Sequence, residues 1–109
     1  MGKFVITKRS NSEYQFNLQA VNGEVILTSE GYTTISSCRN GIESAREHAK
    51  QDSNYNRKMA ADNKYYFNLK AGNGEVVGTS EMYETAAGRD KGIESVKENA
   101  KDAMVEDRS

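Results

Sequence analysis

The chain contains the same segment twice, 51 residues apart. FNLQAVNGEVILTSEGYTTISSCRNGIESAREHAK (16–50) aligns without a gap with FNLKAGNGEVVGTSEMYETAAGRDKGIESVKENAK (67–101), and 20 of the 35 positions are identical. Each copy is too short to bury a good core alone, so we expect the copies to fold against each other. Two copies are too few for a solenoid, which favours a closed domain with a pseudo-twofold axis. We predict a single domain over 1–109, with repeat 1 at about 1–53 and repeat 2 at about 54–109.

The composition is typical of a folded domain with a thin core. Leu, Ile, Val and Phe together number 18 of 109 residues, but 15 basic and 16 acidic residues leave a net charge of only −1. That balance lacks the charge excess of disordered chains. The apolar runs are too short for a signal peptide or a membrane span, and the single Cys38 excludes an internal disulfide. We therefore expect a cytoplasmic protein without a membrane partner, and a monomer because repeat 2 takes the place of a partner subunit.

Each copy opens with strand-like alternation of apolar and polar residues, and an Asn-Gly pair follows. Asn-Gly between two such runs is a strong signal for a two-residue hairpin turn. This turn predicts the facing pairs Ala20–Val25 and Leu18–Leu27 in repeat 1, and Ala71–Val76 and Leu69–Gly78 in repeat 2. Ile26 and Val77 then fall on the opposite, mainly polar face of the sheet. An earlier strand is expected over 3–8, with a weaker counterpart over 54–59.

The period changes after each hairpin to that of an amphipathic helix. The predicted buried stripes are Ile35, Cys38, Ile42, Ala45 and Ala49 in repeat 1, and Ala86, Arg89, Ile93, Val96 and Ala100 in repeat 2. Thr34 and Thr85 are the expected N-caps. Gly41 and Gly92 lie in mid-helix, where Gly costs about 1 kcal/mol relative to Ala. Either each helix is continuous and packs tightly on the sheet there, or it breaks and Asn40-Gly41 forms a C-cap; we favour the continuous helix.

Two segments in each repeat resemble the YegP-like family of small uncharacterised proteins. They are LQAVNGEVILTSEGYT with NGIESAREHA in repeat 1, and LKAGNGEVVGTSEMYE with KGIESVKENA in repeat 2. The resemblance covers nearly the whole chain, with departures at Met82 and Arg89. It implies an α+β fold of tandem β-β-β-α(-β) repeats that share one antiparallel sheet, with two helices on one face. It also implies exchanged C-terminal strands, with a final strand over 102–107 and a segment over 54–59 that serves both repeats. The family has no established activity, so the resemblance implies architecture and no mechanism.

From this fold we expect a hydrophobic core that both repeats supply. The predicted core residues are Phe4, Phe16, Leu18, Val25, Ile42, Phe67, Leu69, Val76, Ile93 and Val96.

The sequence offers few groups suited to catalysis. His48 is the only histidine and lies in the last helical turn, where a protonated imidazole would suit the helix dipole. Cys38 lies on the buried stripe, ten helical residues from His48. The chain has no Cys/His cluster with metal-ligand spacing and no phosphate-binding Gly-rich loop. We therefore predict no catalytic residue, no metal site and no cofactor.

One polar motif, Thr-Ser-Glu-x-Tyr, recurs where each hairpin ends and each helix begins. It makes a candidate ligand pocket in each repeat. The candidate residues are Ser29, Glu30 and Tyr32 in repeat 1 and Ser80, Glu81 and Tyr83 in repeat 2. The alternative interpretation is structural: the Ser and Glu side chains satisfy free backbone N–H groups near the helix start, and the Tyr ring packs over the sheet edge. We favour the structural role, because a duplicated fold needs duplicated turn chemistry.

Three function classes remain open. We favour a non-catalytic module that binds a protein or a small molecule. The alternative is an enzyme that uses Glu30 and Glu81 as acid or base, which would require burial to raise their pKa. We do not favour the third class, nucleic-acid binding: the open sheet face offers Tyr66 and Lys70, but Gln15 stands at the position equivalent to Tyr66 and the basic residues are scattered.

Overall fold

The computed structural model describes residues 2–109 as one seven-stranded sheet with two helices on one face. The elements are β1 (Lys3–Lys8), β2 (Tyr14–Gln19), β3 (Val25–Thr28), α1 (Ile35–His48), β4 (Tyr55–Met59), β5 (Tyr65–Lys70), β6 (Val76–Thr79), α2 (Ala86–Ala100) and β7 (Met104–Asp107). The predicted α+β fold with tandem β-β-β-α(-β) repeats is confirmed. No helix within residues 2–109 is both long enough and apolar enough to cross a bilayer.

The sheet differs from the implied antiparallel sheet in one respect. The strand order is β4-β5-β6-β3-β2-β1-β7. The strands from β4 to β1 are all antiparallel to their neighbours, whereas β7 runs parallel to β1, with Lys3 opposite Met104. The sheet is therefore mixed.

The course of the helices explains this parallel strand. The helix α1 begins beside the Tyr14–Tyr32 bridge of repeat 1 and ends at His48, whose ring contacts Gly72 of repeat 2. Each helix thus carries the chain across to the other repeat, so β4 pairs with β5 and β7 pairs with β1. This confirms the exchange of C-terminal strands. Since β7 enters the sheet level with the start of β1, the two run in the same direction.

The hairpin loop is one residue longer than predicted. The Gly23 N–H donates to the Ala20 carbonyl at 2.9 Å, and the Ala20 N–H donates to the Glu24 carbonyl at 2.8 Å. Gly23 has φ +87°, a left-handed conformation that glycine adopts without steric cost. A register shift after Leu18 then places Leu18 opposite Leu27 and Gln19 opposite Val25. The predicted Leu18–Leu27 pair is confirmed, whereas the Ala20–Val25 pair is wrong, and repeat 2 repeats both results.

This bulge also changes which residues are buried. An extra residue in one strand reverses the face on which the following side chain points. Ile26 and Val77 are accordingly buried in the core beneath the helices, and the prediction that they lie on the opposite face is wrong. Val25 and Val76, which we predicted in the core, are only half-buried. The other predicted core residues are confirmed as buried: Phe4, Phe16, Leu18, Ile42, Phe67, Leu69, Ile93 and Val96.

Both helices begin at the predicted caps and continue through their glycines. The Thr34 side chain accepts a hydrogen bond from the Ser37 N–H, and the Thr85 side chain accepts one from the Gly88 N–H. Gly41 and Gly92 lie within α1 and α2 and are buried. The continuous-helix prediction is therefore confirmed. Arg89 lies on the predicted buried stripe of α2, and its guanidinium lies 5.4 Å from the centre of the Tyr65 ring.

Equivalent residues of the two repeats meet at the centre of the sheet. Thr28 pairs with Thr79, its counterpart 51 residues later. The neighbouring counterparts are Leu27 and Gly78, and a Cβ atom added at Gly78 would lie 2.7 Å from Leu27 Cγ. The Leu27 side chain therefore occupies the volume that a side chain at position 78 would need.

We expect Gly78→Ala to destabilise the protein by about 1–3 kcal/mol, because its methyl group overlaps the Leu27 side chain in a closely packed core. Denaturant unfolding measures this difference. Gly72→Ala is the control, since a Cβ atom there would lie 3.7 Å from His48 Nε2, at ordinary contact distance. A Gly78→Ala protein as stable as the Gly72→Ala protein would contradict the packing described. Because the repeats share one sheet, we also expect a single unfolding transition.

Candidate functional site

The serine of the Thr-Ser-Glu-x-Tyr motif completes the pairing of two strands. Ser29 is buried, and its hydroxyl accepts a hydrogen bond from the Phe16 N–H at 2.9 Å and donates to the Glu30 carbonyl at 2.8 Å. Its own N–H donates to the Phe16 carbonyl. Ser80 makes the same contacts with Phe67 and Glu81. The hydroxyl thus replaces a backbone carbonyl at the point where the chain leaves the sheet.

The glutamates of the motif point to solvent. Glu30 and Glu81 are exposed, and the helix starts are capped by Thr34 and Thr85. The backbone N–H groups that we expected Ser and Glu to satisfy near the helix start are therefore served by threonine. An exposed carboxylate lacks the burial that a general acid needs near neutral pH.

The tyrosine packs between the sheet and the glycine of the helix. The Tyr32 ring stacks on Phe16 with centroids 6.4 Å apart, and Tyr83 stacks on Phe67 at 6.5 Å. A Cβ atom added at Gly41 would lie 2.7 Å from Tyr32 Cζ, and Gly92 stands in the same relation to Tyr83. The tight contact that keeps these positions glycine is therefore with the hydroxyl end of a tyrosine ring, and at Gly41 also with Phe16 of the sheet, whose Cε2 would lie 3.2 Å from the added Cβ.

A cleft of about 270 Å³ opens beside Tyr32, between α1 and the hairpin of repeat 2. Its polar lining consists of Tyr32, Ser37, Asn40, Ser44, Asn73 and Glu75. Gly41, Ala71, Val76 and Val77 supply apolar surface. Of the predicted site residues in repeat 1, only Tyr32 lines this cleft, which we call the Tyr32 cleft. Ser29 and Glu30 are not brought to it.

Burial is the main cause that raises the pKa of Tyr32, and the neighbouring Cys38, Glu30 and Glu75 raise it further. The phenol is therefore neutral at physiological pH and can both donate and accept a hydrogen bond. Within residues 2–109 the Tyr32 hydroxyl forms no hydrogen bond, and since no fully buried side-chain nitrogen or oxygen there lacks a partner, this oxygen is not fully buried.

His48 holds the two walls of the Tyr32 cleft together. Its Nε2 atom accepts a hydrogen bond from the Gly72 N–H at 3.0 Å, and its Nδ1 atom lies 2.8 Å from the Ser44 carbonyl. With Nε2 as acceptor and Nδ1 as donor, the ring links the end of α1 to the hairpin of repeat 2. The sequence analysis, which considered contacts within one repeat, did not predict this contact of His48 with Gly72 of the other repeat.

Arg46 is a second contact between repeats that sequence analysis missed. Its Nη1 atom donates to the carbonyl of Ala100, the last residue of α2, at 2.9 Å and to that of Ala103, in the segment that follows, at 3.0 Å. The guanidinium also lies 5.3 Å from the centre of the Phe4 ring. From the sequence, Arg46 is visible only as the partner of Glu43 in an ion pair, which is present at 3.5 Å.

A larger depression of about 650 Å³ lies at the end of α2, where Asn99 occupies the position equivalent to His48. Asn99 donates to the Ser95 carbonyl at 2.8 Å, as His48 does to that of Ser44. The depression is lined mainly by exposed residues and has no aromatic side chain. We place the candidate site at the Tyr32 cleft, because there a predicted site residue and a cavity coincide.

The two side chains best suited to nucleophilic or acid–base chemistry, Cys38 and His48, are both engaged in the packing of the fold. Cys38 is fully buried, and that burial raises the pKa of its thiol. Both ring nitrogens of His48 are engaged by the fold. Among residues 2–109, no three His, Cys, Asp or Glu side chains come together to hold a metal ion.

The chain is similar to proteins whose function is unknown. The family model described as "Domain of unknown function (DUF1508)" matches residues 10–56 and again 60–107. The Stutzerimonas stutzeri "UPF0339 protein in ptx operon 5'region" is 52% identical over 104 residues, covering 95% of this chain and 94% of that protein. A UPF0339 protein of Shewanella oneidensis is 47% identical, covering 97% and 96%. The solution NMR structure of Escherichia coli yegP, described as a protein of unknown function, has a TM-score of 0.94 at 46% identity, covering 98% and 92%.

The contact between Gly41 and Tyr32 predicts that the effect of Gly41→Ala on the free energy of unfolding changes sign when the Tyr32 ring is removed. In the natural background we expect Gly41→Ala to destabilise by about 1 kcal/mol, because the overlap of its methyl group with the Tyr32 ring outweighs the gain in helix propensity. In a Tyr32→Ala background the closest overlap is gone and only Phe16 Cε2, at 3.2 Å, still limits the methyl group, so the same change should stabilise by less than about 1 kcal/mol. Denaturant unfolding of the four proteins gives the coupling. Equal effects in both backgrounds would show that the ring does not restrict position 41.

The His48 contact can be tested with the residue found at its equivalent position. His48→Asn keeps a side-chain amide that can reach Ser44 but loses the Gly72 bond, and we expect a cost of about 1 kcal/mol. The Gly72 amide should then exchange with solvent faster, as measured by NMR hydrogen exchange. The Gly74 N–H, which donates to the Ala71 carbonyl at 2.9 Å, is the internal control. Unchanged exchange at Gly72 would contradict the role given to His48.

Proposed function

This chain belongs to the DUF1508 family, and we propose that it is a non-catalytic module that binds a small molecule in the Tyr32 cleft. The observation that carries the proposal is the cleft itself. It lies between the two repeats, and its lining includes a tyrosine hydroxyl that the fold leaves without a partner in residues 2–109.

The composition of the lining supports binding. Small-molecule sites combine apolar surface with a few polar groups that orient the ligand. Here Val76 and Val77 provide apolar surface on the hairpin, while Ser37, Asn40 and Ser44 project hydroxyl and amide groups from one side of α1. These three lie 3 and 4 residues apart, a spacing that places them on one helical face.

The position of the ionisable groups supports a module without catalytic chemistry. An acid–base enzyme built on the motif would need Glu30 and Glu81 in a cleft, yet both are exposed. Ser29 and Ser80 are committed to backbone hydrogen bonds. The serine of the repeated motif thus has a structural role. Of the motif's candidate residues in repeat 1, only Tyr32 takes part in the site. We further propose that the module acts as a monomer, since one chain supplies both walls of the cleft.

We expect a small-molecule ligand to shift the NMR amide signals of Tyr32, Gly41 and Ser44 together with those of Asn73 and Glu75. A fragment library titrated into the full 15N-labelled chain tests this. Asn40→Trp places a bulky ring in the Tyr32 cleft and should abolish the shifts. The matched control is Lys91→Trp, at the equivalent exposed position of α2.

Fragments that bind with shifts confined to other surfaces would contradict the proposal. So would binding at the cleft residues that survives Asn40→Trp, or that Lys91→Trp abolishes equally.

A further inference from the structure

The two repeats carry different charges around their tyrosines. Glu75 is the only charged residue that lines the Tyr32 cleft, and it makes no ion pair within residues 2–109. The residue of repeat 2 equivalent to Asn40 is Lys91. The residue of repeat 1 equivalent to Glu75 is Glu24. Repeat 2 thus has a lysine at the position of Asn40, whereas the lining of the Tyr32 cleft contains a carboxylate and no cation.

We propose, on the basis of the proposed function, that the ligand of the Tyr32 cleft is a small organic cation whose ammonium group faces the Glu75 carboxylate. An ammonium ion has three donors and no acceptor, so it needs a site rich in oxygen acceptors. The Glu75 carboxylate supplies one, and the Tyr32 and Ser44 hydroxyls and the Asn40 amide can supply others. Hydrogen bonds to an ionised acceptor are stronger than those between neutral groups, so Glu75 is the main anchor.

The remaining lining fits the carbon chain of such a ligand. Val76, Val77, Ala71 and the bare backbone at Gly41 form the apolar part of the cleft. At about 270 Å³ the cleft is smaller than the ~300–1,000 Å³ typical of sites for drug-sized ligands, which favours a short alkylamine. An anion of the same size would meet the unpaired Glu75 and no cation in the lining.

Three molecules of matched shape test the inference: butylammonium, butanol and butyrate, each titrated into the full 15N-labelled chain at pH 7. Ligands this small bind in the millimolar range, so saturable NMR shifts are the suitable measurement. We expect butylammonium to bind best, at least about fivefold tighter than butanol, with butyrate weakest. Glu75→Gln should remove that advantage, lowering the affinity for butylammonium at least about fivefold and leaving that for butanol nearly unchanged.

The matched control is Glu24→Gln, which should leave butylammonium binding at the Tyr32 cleft unchanged. Butyrate or butanol binding as tightly as butylammonium, or butylammonium binding that survives Glu75→Gln, would overturn the choice of ligand class. If butanol or another neutral compound bound there and Asn40→Trp abolished it, the cleft would remain a binding site and only the cation would be wrong. If none of the three compounds bound the cleft in the natural chain, the cation proposal would also fail.

Discussion

Each helix of this protein lies across both repeats, and the rest of the structure depends on that crossing. The helix α1 starts over repeat 1 and ends against the hairpin of repeat 2, where His48 receives the Gly72 N–H. The strand that follows can then pair only with the far repeat. Arg46 fixes the return path by binding the carbonyl of the last residue of α2 and the Ala103 carbonyl after it. Neither half holds its own helix and closing strand, which is how a chain with few large apolar residues assembles a common core.

The candidate site is a product of the same crossing. Its two walls come from different repeats, and they meet because α1 reaches over the second hairpin. The tyrosine of the repeated motif stands at one end of the cleft, stacked on Phe16 and pressed against the backbone at Gly41. The structural part of the motif is therefore compatible with a place in the cleft: the hydroxyl end of the ring lies against the helix at Gly41, and Tyr32 also lines the cavity.

The sequence predicted the local structure well, because local periodicity reports the face of each element. The helices, their threonine caps and the register of Leu18 with Leu27 followed from spacing alone. The errors arose where one extra residue changed the outcome. A three-residue loop with a bulge moved Ile26 and Val77 into the core, and the Asn-Gly signal does not distinguish that loop from a two-residue turn. Sequence periodicity could not predict the contact of His48 with Gly72 or the place of Glu75 in the cleft, because both depend on contacts between segments distant in the chain.

The meeting of Leu27 with Gly78 has a consequence for how such a chain can evolve. In a dimer of two identical subunits, a residue on the symmetry axis faces its own copy, so both sides must have the same size. Two repeats fused in one chain need not obey that rule, because their equivalent positions can differ. Here the Leu27 side chain fills the shared volume, and its counterpart Gly78 has no side chain. Once the division is made, neither copy can return to the sequence of the other without a clash or a void. At this contact the two repeats of the chain can therefore no longer be exchanged for each other.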